Sequence, residues 1–294
     1  MSSESVQSSD IAKGVIAGPL KLVTICTSDL SAITSFYKEE LGLSINGPHE
    51  LEAEEKEKLS AFWDIPLTLG FDVYSLSTGE GITELHTRII HIHEETPYFR
   101  GSYDVKELGP YMIDMTMNHE QKIVKAPGKY LCRTVEASYG ETNLELGNRV
   151  QDKPLFATFM SDKIEEELLL FTHVLGLSLQ PDLTNNASNG SNGKDSIHNY
   201  KISARDGEGY RLMLVGYEED DCIDLEEAPR LPNQGMVMWS FETRDIGEVL
   251  ARAHAKEVKI YRTPRKLSTP LLGEVIALTL LSSTGYIIEV YSRL

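Results

Sequence analysis

The sequence predicts an α+β protein assembled from four repeats of a strand, a helix and further strands. The clearest observation is that LVTICTSDLSAITSFYKEELGLSI at 22–45 and LFATFMSDKIEEELLLFTHVLGLSL at 155–179 share a β-rich start, a Ser-Asp pair and an LGLS ending. A second observation is the spacing, because Asp29 to Gly42 covers 13 positions and Asp162 to Gly176 covers 14. The two spacings agree to one residue and the two segments lie about half the chain apart, which indicates an internal repeat.

The composition is that of an acidic globular protein. Acidic residues outnumber basic ones by 45 to 28 in a chain of 294 residues, which gives a formal net charge of −17. A field of this sign repels phosphate backbones and anionic lipid headgroups, so neither nucleic acid nor a membrane is expected as a partner. The acidic N-terminus lacks the features of a secretory signal, and the three cysteines form no CxxC pair. We therefore expect a cytoplasmic protein with reduced thiols, present as a monomer or homodimer.

The first repeat is predicted to begin with a strand at 20–27, LKLVTICT, which is rich in β-branched residues. Ser28-Asp29 then offers a helix N-cap, apolar residues follow at helical spacing, and Gly42 can end the helix. A second helical pattern at 51–63 has a strongly charged face. It predicts a helix inserted into the first repeat.

The other repeats follow in order. Strands are predicted at 111–117, 130–135, 155–160, 236–241 and 275–281, and the helix of the fourth repeat at 246–254. The Asn-, Ser- and Gly-rich tract at 185–196 and the acidic run at 218–227 are predicted to be solvent-exposed connections.

The repeats resemble the modules of the vicinal oxygen chelate superfamily, which includes glyoxalases, bleomycin-resistance proteins and extradiol dioxygenases. The resemblance is carried by 22–45, by 155–179, by the ending STGYIIEVY at 283–291, and by FWDIP at 62–66, which is similar to the end of a helix inserted in some members. It implies four βαβββ modules paired into two curled mixed β-sheet domains, each around a cavity.

The resemblance also suggests how the chain is divided. We expect a disordered N-terminal segment at 1–17, a vicinal oxygen chelate domain at 18–150 with the inserted helix, and a second such domain at 151–294. The residues themselves leave open whether the first module pairs with the second or with the fourth.

In metal-dependent members of this family, the ligands are a His or Gln on the first strand of a module and a Glu on its last strand. Aligned on the Ser-Asp pair, the His positions hold Leu22 and Leu155, and weaker alignments place Met112 and Met238 there. Apolar residues at these positions predict that the usual His ligands are absent and that the protein has no cofactor.

Glu289 matches the last-strand Glu of the family and is the first candidate catalytic residue. A carboxylate that faces a cavity can act as an acid or base, because burial raises its pKa; the alternative is a Glu at the rim or paired with an arginine. Glu84 and His86 are further candidates, since they share one face of a predicted strand with Arg88. On its other face, His91 and His93 form an HxH pattern that either chelates a metal or is tolerated at an exposed edge.

The chain also contains 13 Tyr and eight Met, which can form the wall of an amphipathic pocket. Core packing is the alternative for each of them. The candidate substrate-binding residues are Tyr74, Tyr111, Met115, Met238, Trp239 and Tyr291.

Three functions are compatible with these residues. The first is a metal-independent lyase or isomerase that acts on a small, largely apolar oxygenated metabolite by acid–base catalysis. The second is a protein that binds and sequesters an aromatic or antibiotic-like ligand. The third is a metal-dependent extradiol-type dioxygenase or glyoxalase-like enzyme, with ligands drawn from His86, His91, His93 and Glu289.

Overall fold

The computed structural model describes residues 16–77, 86–117, 122–136, 155–180, 198–204, 211–217, 222–223, 225 and 227–294. Residues 1–15 of the predicted N-terminal segment, Glu84 and the tract at 185–196 lie outside the described residues. Within them, the chain forms two mixed β-sheets, of eight and seven strands, with a small number of helices. This architecture agrees with the predicted α+β fold of two curled sheets.

Fifteen strands are present in the described residues. In chain order they are β1 (Ala17–Thr27), β2 (Ser44–Asn46), β3 (Phe71–Ser77), β4 (His86–Ile92), β5 (Gly109–Met117), β6 (Ile123–Lys125), β7 (Leu131–Glu136), β8 (Phe156–Ser161), β9 (Ser178–Gln180), β10 (His198–Ser203), β11 (Arg211–Gly216), β12 (Gly235–Thr243), β13 (Ile260–Thr269), β14 (Gly273–Leu281) and β15 (Ile287–Arg293).

The inserted helix and the helices of the first, third and fourth repeats lie where the sequence predicts them. The second repeat differs, because among its described residues 123–125 forms strand β6 and no helix lies between β5 and β7. They are α1 (Leu30–Ser35), continued by a π-helical turn at Phe36–Glu40, α2 (Ala53–Trp63), α3 (Ile164–Leu168), continued by a π-helical turn at Leu169–Val174, and α4 (Ile246–Ala255).

The predicted helix ends are confirmed in the first repeat. The Asp29 side chain caps α1 by accepting a hydrogen bond from Ala32 N at 2.9 Å, as the sequence predicts. Gly42, where the helix was predicted to end, has a φ of +65°, and its counterpart Gly176 has a φ of +73°. The third repeat differs, because its N-cap residue is Lys163 and no side chain caps α3.

The eight-stranded sheet combines the modules from the two ends of the chain, and the seven-stranded sheet combines the two modules between them. The order of the eight-stranded sheet is β13-β14-β15-β12-β1-β4-β3-β2, and that of the seven-stranded sheet is β6-β7-β5-β8-β11-β10-β9. The first repeat therefore pairs with the fourth, and the second with the third, through the antiparallel pairs β1–β12 and β5–β8. The sheets do not coincide with the predicted segments 18–150 and 151–294, since each takes strands from both sides of residue 150.

The two sheets share one hydrophobic core, which also contains the apolar sides of α1 and α4. Phe159 of β8 lies 5.6 Å from Trp239 of β12 between ring centroids, and the buried hydroxyls of Tyr37 and Tyr130 are 2.8 Å apart. Side chains alternate between the faces of a strand, so each sheet has a second face directed away from this core. We call it the inner face.

The inserted helix α2 covers the inner face of the eight-stranded sheet. Phe62 and Trp63 are 0% and 1% exposed, and they form a second hydrophobic cluster with residues of β3, β4 and β12. The charged side predicted for this helix faces solvent, as shown by exposed Glu54. Among the described residues, no helix is both long enough and apolar enough to cross a membrane.

Candidate functional site

A buried ion pair lies at the centre of the inner face of the eight-stranded sheet. Parallel pairing places Thr24 of β1 beside Arg88 of β4, and Ser240 of β12 beside Glu289 of β15. All four residues are at most 2% exposed. Nη2 of Arg88 lies 3.1 Å from Oε2 of Glu289, so the acidic residue that the sequence singles out is neutralised by a guanidinium.

Further polar groups hold this pair in place. Ser240 Oγ donates to Oε2 of Glu289 at 2.7 Å, and Trp63 Nε1 donates to Oε1 at 3.4 Å. Nε of Arg88 donates to Thr24 Oγ1 at 3.0 Å, and its guanidinium lies 4.6 Å from the Trp63 ring centroid. Nη1 of Arg88 is buried and has no hydrogen-bond partner among the described residues. It is a donor available to an oxygen atom of a ligand or of water.

The seven-stranded sheet carries a second Arg–carboxylate pair at the matching level. Here Asp114 of β5 lies beside Arg133 of β7, and Thr158 of β8 beside Met213 of β11. Asp114 is fully buried and accepts hydrogen bonds from Nε and Nη2 of Arg133 at 2.8 and 2.6 Å. This bidentate geometry fixes the guanidinium plane.

The two inner faces differ in exposure. One step along the strands from the ion pair, the eight-stranded sheet has Leu22, Met238 and Ile287, each at most 2% exposed. The corresponding positions of the seven-stranded sheet are all half-buried. Arg133 and Met213, at the level of the second pair, are also half-buried. We call these residues together the open face; it consists of Met112, Leu131, Arg133, Phe156, Arg211 and Met213.

A third cluster lies on β3 and at the end of β4, on the face of the eight-stranded sheet opposite to its inner face. Asp72, His91 and His93 each offer one ligand atom, and these atoms lie within 4.8 Å of one another. Nε2 of His93 is 2.8 Å from Oδ2 of Asp72, and Lys56 Nζ is 3.5 Å from Oδ1. The alternation of side chains along β4 places His91 on the face opposite to Arg88.

The electrostatics of this cluster favour a neutral imidazole and an ionised carboxylate. Partial burial lowers the pKa of His91, and the neighbouring His93 lowers it further. Burial acts to raise the pKa of Asp72, but the hydrogen bond from His93 and the charges of His93 and Lys56 outweigh it and lower the pKa overall. Both are the protonation states in which these side chains bind metal ions.

Solved structures of other proteins have a similar fold, and the similarity covers nearly the whole chain. Glyoxalase I from Zea mays is 11% identical, with a TM-score of 0.59 over 93% of this chain and 92% of that enzyme. The chain has the vicinal oxygen chelate fold. A putative dioxygenase from Bacillus subtilis, at 12% identity, matches with a TM-score of 0.54 over 95% of this chain and 86% of that chain. No protein-family model matches the sequence, and no curated protein matches it. Identities this low show the vicinal oxygen chelate fold alone.

The prediction that the protein has no cofactor is wrong. It rested on the absence of the usual His ligands, whereas two histidines and a carboxylate with metal-ligand spacing are present at Asp72, His91 and His93. The family pattern places the His ligands on the first strand of each module, whereas Asp72, His91 and His93 come from the pair of β3 and β4. At the inner face the residues do not fit a cation, because the Arg88 guanidinium lies beside Glu289.

The structure divides the predicted site residues between several places. Glu289, Met238 and Tyr291 lie on the inner face of the eight-stranded sheet, each at most 2% exposed. His86 is exposed at the start of β4, on the same face as Arg88. Glu84 lies outside the described residues.

The other predicted substrate-binding residues are directed elsewhere. Tyr74, Met115 and Trp239 belong to the core shared by the two sheets. Tyr111 is half-buried, with the Arg100 guanidinium 5.3 Å from its ring centroid. The ligand set proposed for a dioxygenase is also divided, since His91 and Glu289 lie on opposite faces of the sheet.

Sequence reasoning placed Arg88 on the face of Glu84 and His86 but gave it no role, and it missed Asp114 and Arg133. The signal for Arg88 was its place two residues after His86 on a predicted strand, which puts both side chains on one face. Its partner could not be found in the same way, because Glu289 is 201 positions away. Asp114 and Arg133 would have been linked only by knowing that β5 and β7 are parallel neighbours.

Proposed function

We propose that this protein binds a small organic anion with an apolar, aromatic body, and that the ligand lies on the open face of the seven-stranded sheet. The observation that carries the proposal is the contrast between matched positions. At equal register Leu22, Met238 and Ile287 of the eight-stranded sheet are buried together with residues of α2, and His86 at the start of β4 is the exposed exception, whereas the residues of the open face are half-buried. A sheet face that combines apolar side chains with a few charged groups is typical of the lining of a ligand site.

The chemistry of the open face supports an amphipathic anion. Met112, Leu131, Phe156 and Met213 supply apolar contacts. Arg133 is held rigidly by Asp114, and Nε of Arg211 is buried without a hydrogen-bond partner among the described residues. Two guanidinium groups beside a single carboxylate favour a monoanion even in a chain with a net charge of −17.

The experiment compares 1-naphthoate with 1-naphthamide, which has the same aromatic body without the charge, by isothermal titration calorimetry. We expect naphthoate to bind at least about tenfold more tightly, since a hydrogen bond to a charged group contributes about 1.5–3 kcal/mol. Arg211→Met should abolish this preference. Met213→Trp should weaken the binding of both ligands, because the larger side chain fills the open face. Arg244→Met, at an exposed arginine outside the face, is the charge-matched control.

The proposal fails if benzoate, phenylacetate, indole-3-acetate and naphthoate all show no saturable binding. It also fails if Arg211→Met and Met213→Trp bind naphthoate as the unmodified protein does. Sequestration of such a ligand requires no catalytic group, and it is the function that this site supports best.

A second candidate function is acid–base catalysis of the lyase or isomerase kind at Glu289. It is favoured by the unpartnered Nη1 of Arg88, which can donate to a substrate carbonyl oxygen beside the buried carboxylate. The test is solvent deuterium incorporation into phenylacetone, followed by NMR. Glu289→Gln should slow the exchange by about 10²–10⁴-fold if the carboxylate removes the proton. Equal rates in both proteins would exclude this role.

A further inference from the structure

The hairpin of β3 and β4 carries a group of side chains that the ligand-binding proposal does not use. Asp72 of β3 and His91 of β4 are register partners in the antiparallel pair. His93 follows the last residue of β4, and its backbone N donates to Gly70 O at 3.2 Å. Three ligand-capable side chains are thus brought to one end of a two-stranded unit by local pairing.

Each imidazole is positioned by a contact of its own. The His91 ring lies beside the backbone of Ser28, and its ring centroid is 5.4 Å from that of His93. The His93 ring lies against Gly70, where an added Cβ would be 2.7 Å from Nδ1. Gly70, with a φ of +63°, is therefore the residue that gives this ring room.

The carboxylate is shared between two neighbours. Oδ2 of Asp72 faces His93 at 2.8 Å, and Oδ1 faces the ammonium of Lys56 at 3.5 Å. Lys56 holds the carboxylate in place, and its positive charge also opposes a cation at the same site. The side chains of Asp72 and His93 are 34% and 46% exposed, so an ion can reach them from solvent and retain water ligands.

We propose that Asp72, His91 and His93 bind one divalent late first-row transition ion at the solvent-exposed end of the β3–β4 pair, on the face of the sheet opposite to its inner face. Two imidazoles and one carboxylate suit Zn²⁺, Ni²⁺ or Co²⁺ and disfavour Mg²⁺, which prefers oxygen ligands. Water completes the coordination. The site lies on the face opposite to the Arg88–Glu289 pair, and it differs from the strand positions at which the family resemblance places metal ligands.

The experiment uses the full chain without a histidine tag, treated with chelator and dialysed. Isothermal titration calorimetry with ZnCl₂ should give close to one equivalent of bound ion, and MgCl₂ should give no heat of binding. Co²⁺ should produce visible d–d absorption bands that Zn²⁺ then displaces. Asp72→Asn and His93→Ala should each weaken Zn²⁺ binding by more than about tenfold, as losing even an outer-shell partner costs about 10–100-fold.

Two further variants make the result specific to this cluster. His86→Ala removes an exposed histidine from the same strand but from the opposite face, and it should leave Zn²⁺ binding unchanged. Lys56→Gln removes the competing charge and should tighten binding. Circular dichroism of each variant checks that the fold is retained.

Either of two results overturns the proposal. One is the absence of Zn²⁺ and Co²⁺ binding by the chelator-treated chain. The other is binding that Asp72→Asn and His93→Ala leave unchanged, which would assign the ion to other residues.

Discussion

At the scale of single residues, the distinctive feature is the number of charged side chains that are buried and paired. Arg88 with Glu289, Arg100 with Glu107, and Asp114 with Arg133 all include a partner that is essentially inaccessible to solvent. Removing charges from water is costly, and only close pairing with additional hydrogen bonds offsets the cost. Such pairs constrain which strands can be neighbours, since a mispaired strand would leave a buried charge alone.

The Arg88–Glu289 pair gives a prediction about stability. Arg88→Met should lower the free energy of unfolding by about 3–5 kcal/mol, because it leaves the Glu289 carboxylate buried without a cation. The double variant Arg88→Met/Glu289→Gln should lose much less than the sum of the single changes. Urea denaturation of the four proteins measures the coupling. Additive effects would show that the two side chains do not stabilise each other.

Glu167 of α3 gives a prediction about pH. It is fully buried, and burial raises its pKa from 4.5 to about 7, although hydrogen bonds from Ser283 act in the opposite direction. The folded protein therefore keeps this proton at pH values where the unfolded chain has lost it. The contribution to stability is complete below pH 4.5 and is lost as the pH rises through about 7.

The measurement is the free energy of unfolding of the unmodified protein and of Glu167→Gln between pH 4.5 and 8. The variant cannot ionise, so its advantage should grow over this interval by up to about 3 kcal/mol. Parallel pH profiles of the two proteins would contradict the assignment.

At the scale of elements, the inserted helix α2 makes the two inner faces different. Its residue Trp63 lies over the Arg88 guanidinium at 4.6 Å, and Asp64, directly after the helix, forms an ion pair with Arg262 of β13 at 2.7 Å. The helix is thereby tied to both halves of the eight-stranded sheet. The seven-stranded sheet has no such helix among its described residues, and its inner face is the more exposed one.

The fourth repeat gives a prediction for a single element. Asp245 caps α4 by accepting a hydrogen bond from Glu248 N at 2.9 Å. Asp245→Ala should reduce the free energy of unfolding by about 1 kcal/mol, whereas Asp245→Asn should retain most of the cap. The neighbouring exposed Arg244 supplies the control, since Arg244→Ala should have little effect on thermal or urea unfolding. An equal loss from Asn and Ala would show that the cap does not stabilise α4.

At the scale of the whole molecule, the two ends of the chain form one sheet and the segment between them forms the other. The eight-stranded sheet uses residues 17–92 and 235–293, and the seven-stranded sheet uses the strands between them. The central pair β1–β12 joins segments more than 200 residues apart in sequence, from Ala17 with Thr243 to Cys26 with Gly235. Folding of either end therefore depends on the other.

This arrangement predicts the behaviour of fragments. Residues 1–150 and 151–294, expressed separately, should each fail to give a dispersed amide NMR spectrum, because β1 and β5 lose their partners β12 and β8. Mixing the two fragments from denaturant should restore the native spectrum. A native-like spectrum from either fragment alone would show that 18–150 or 151–294 is an independent domain.

Much of the fold could be predicted from the sequence because its signals are local. The repeated Ser-Asp and LGLS frames, the β-branched run before Asp29, and the helical pattern at 51–63 all act within about 20 residues, and the structure places a strand or helix at each. Glu289 was also identified, because its position in GYIIEVY is a local feature of the last module. These are properties that neighbouring residues impose on the backbone.

The partners of these elements were decided only by the tertiary structure. A strand pattern specifies which side chains share a face but not which strand lies beside it, so the pairing of the first module with the fourth stayed open. That pairing places the Arg88 guanidinium against Glu289, so that a predicted catalytic carboxylate belongs to a buried ion pair. In the folded protein Tyr74, Met115 and Trp239 belong to the core instead of lining a pocket. Asp72 and His91 are brought together within the first module, by the antiparallel pairing of β3 with β4. Contacts between residues distant in sequence form only when the whole molecule folds, and the roles of these residues depend on those contacts.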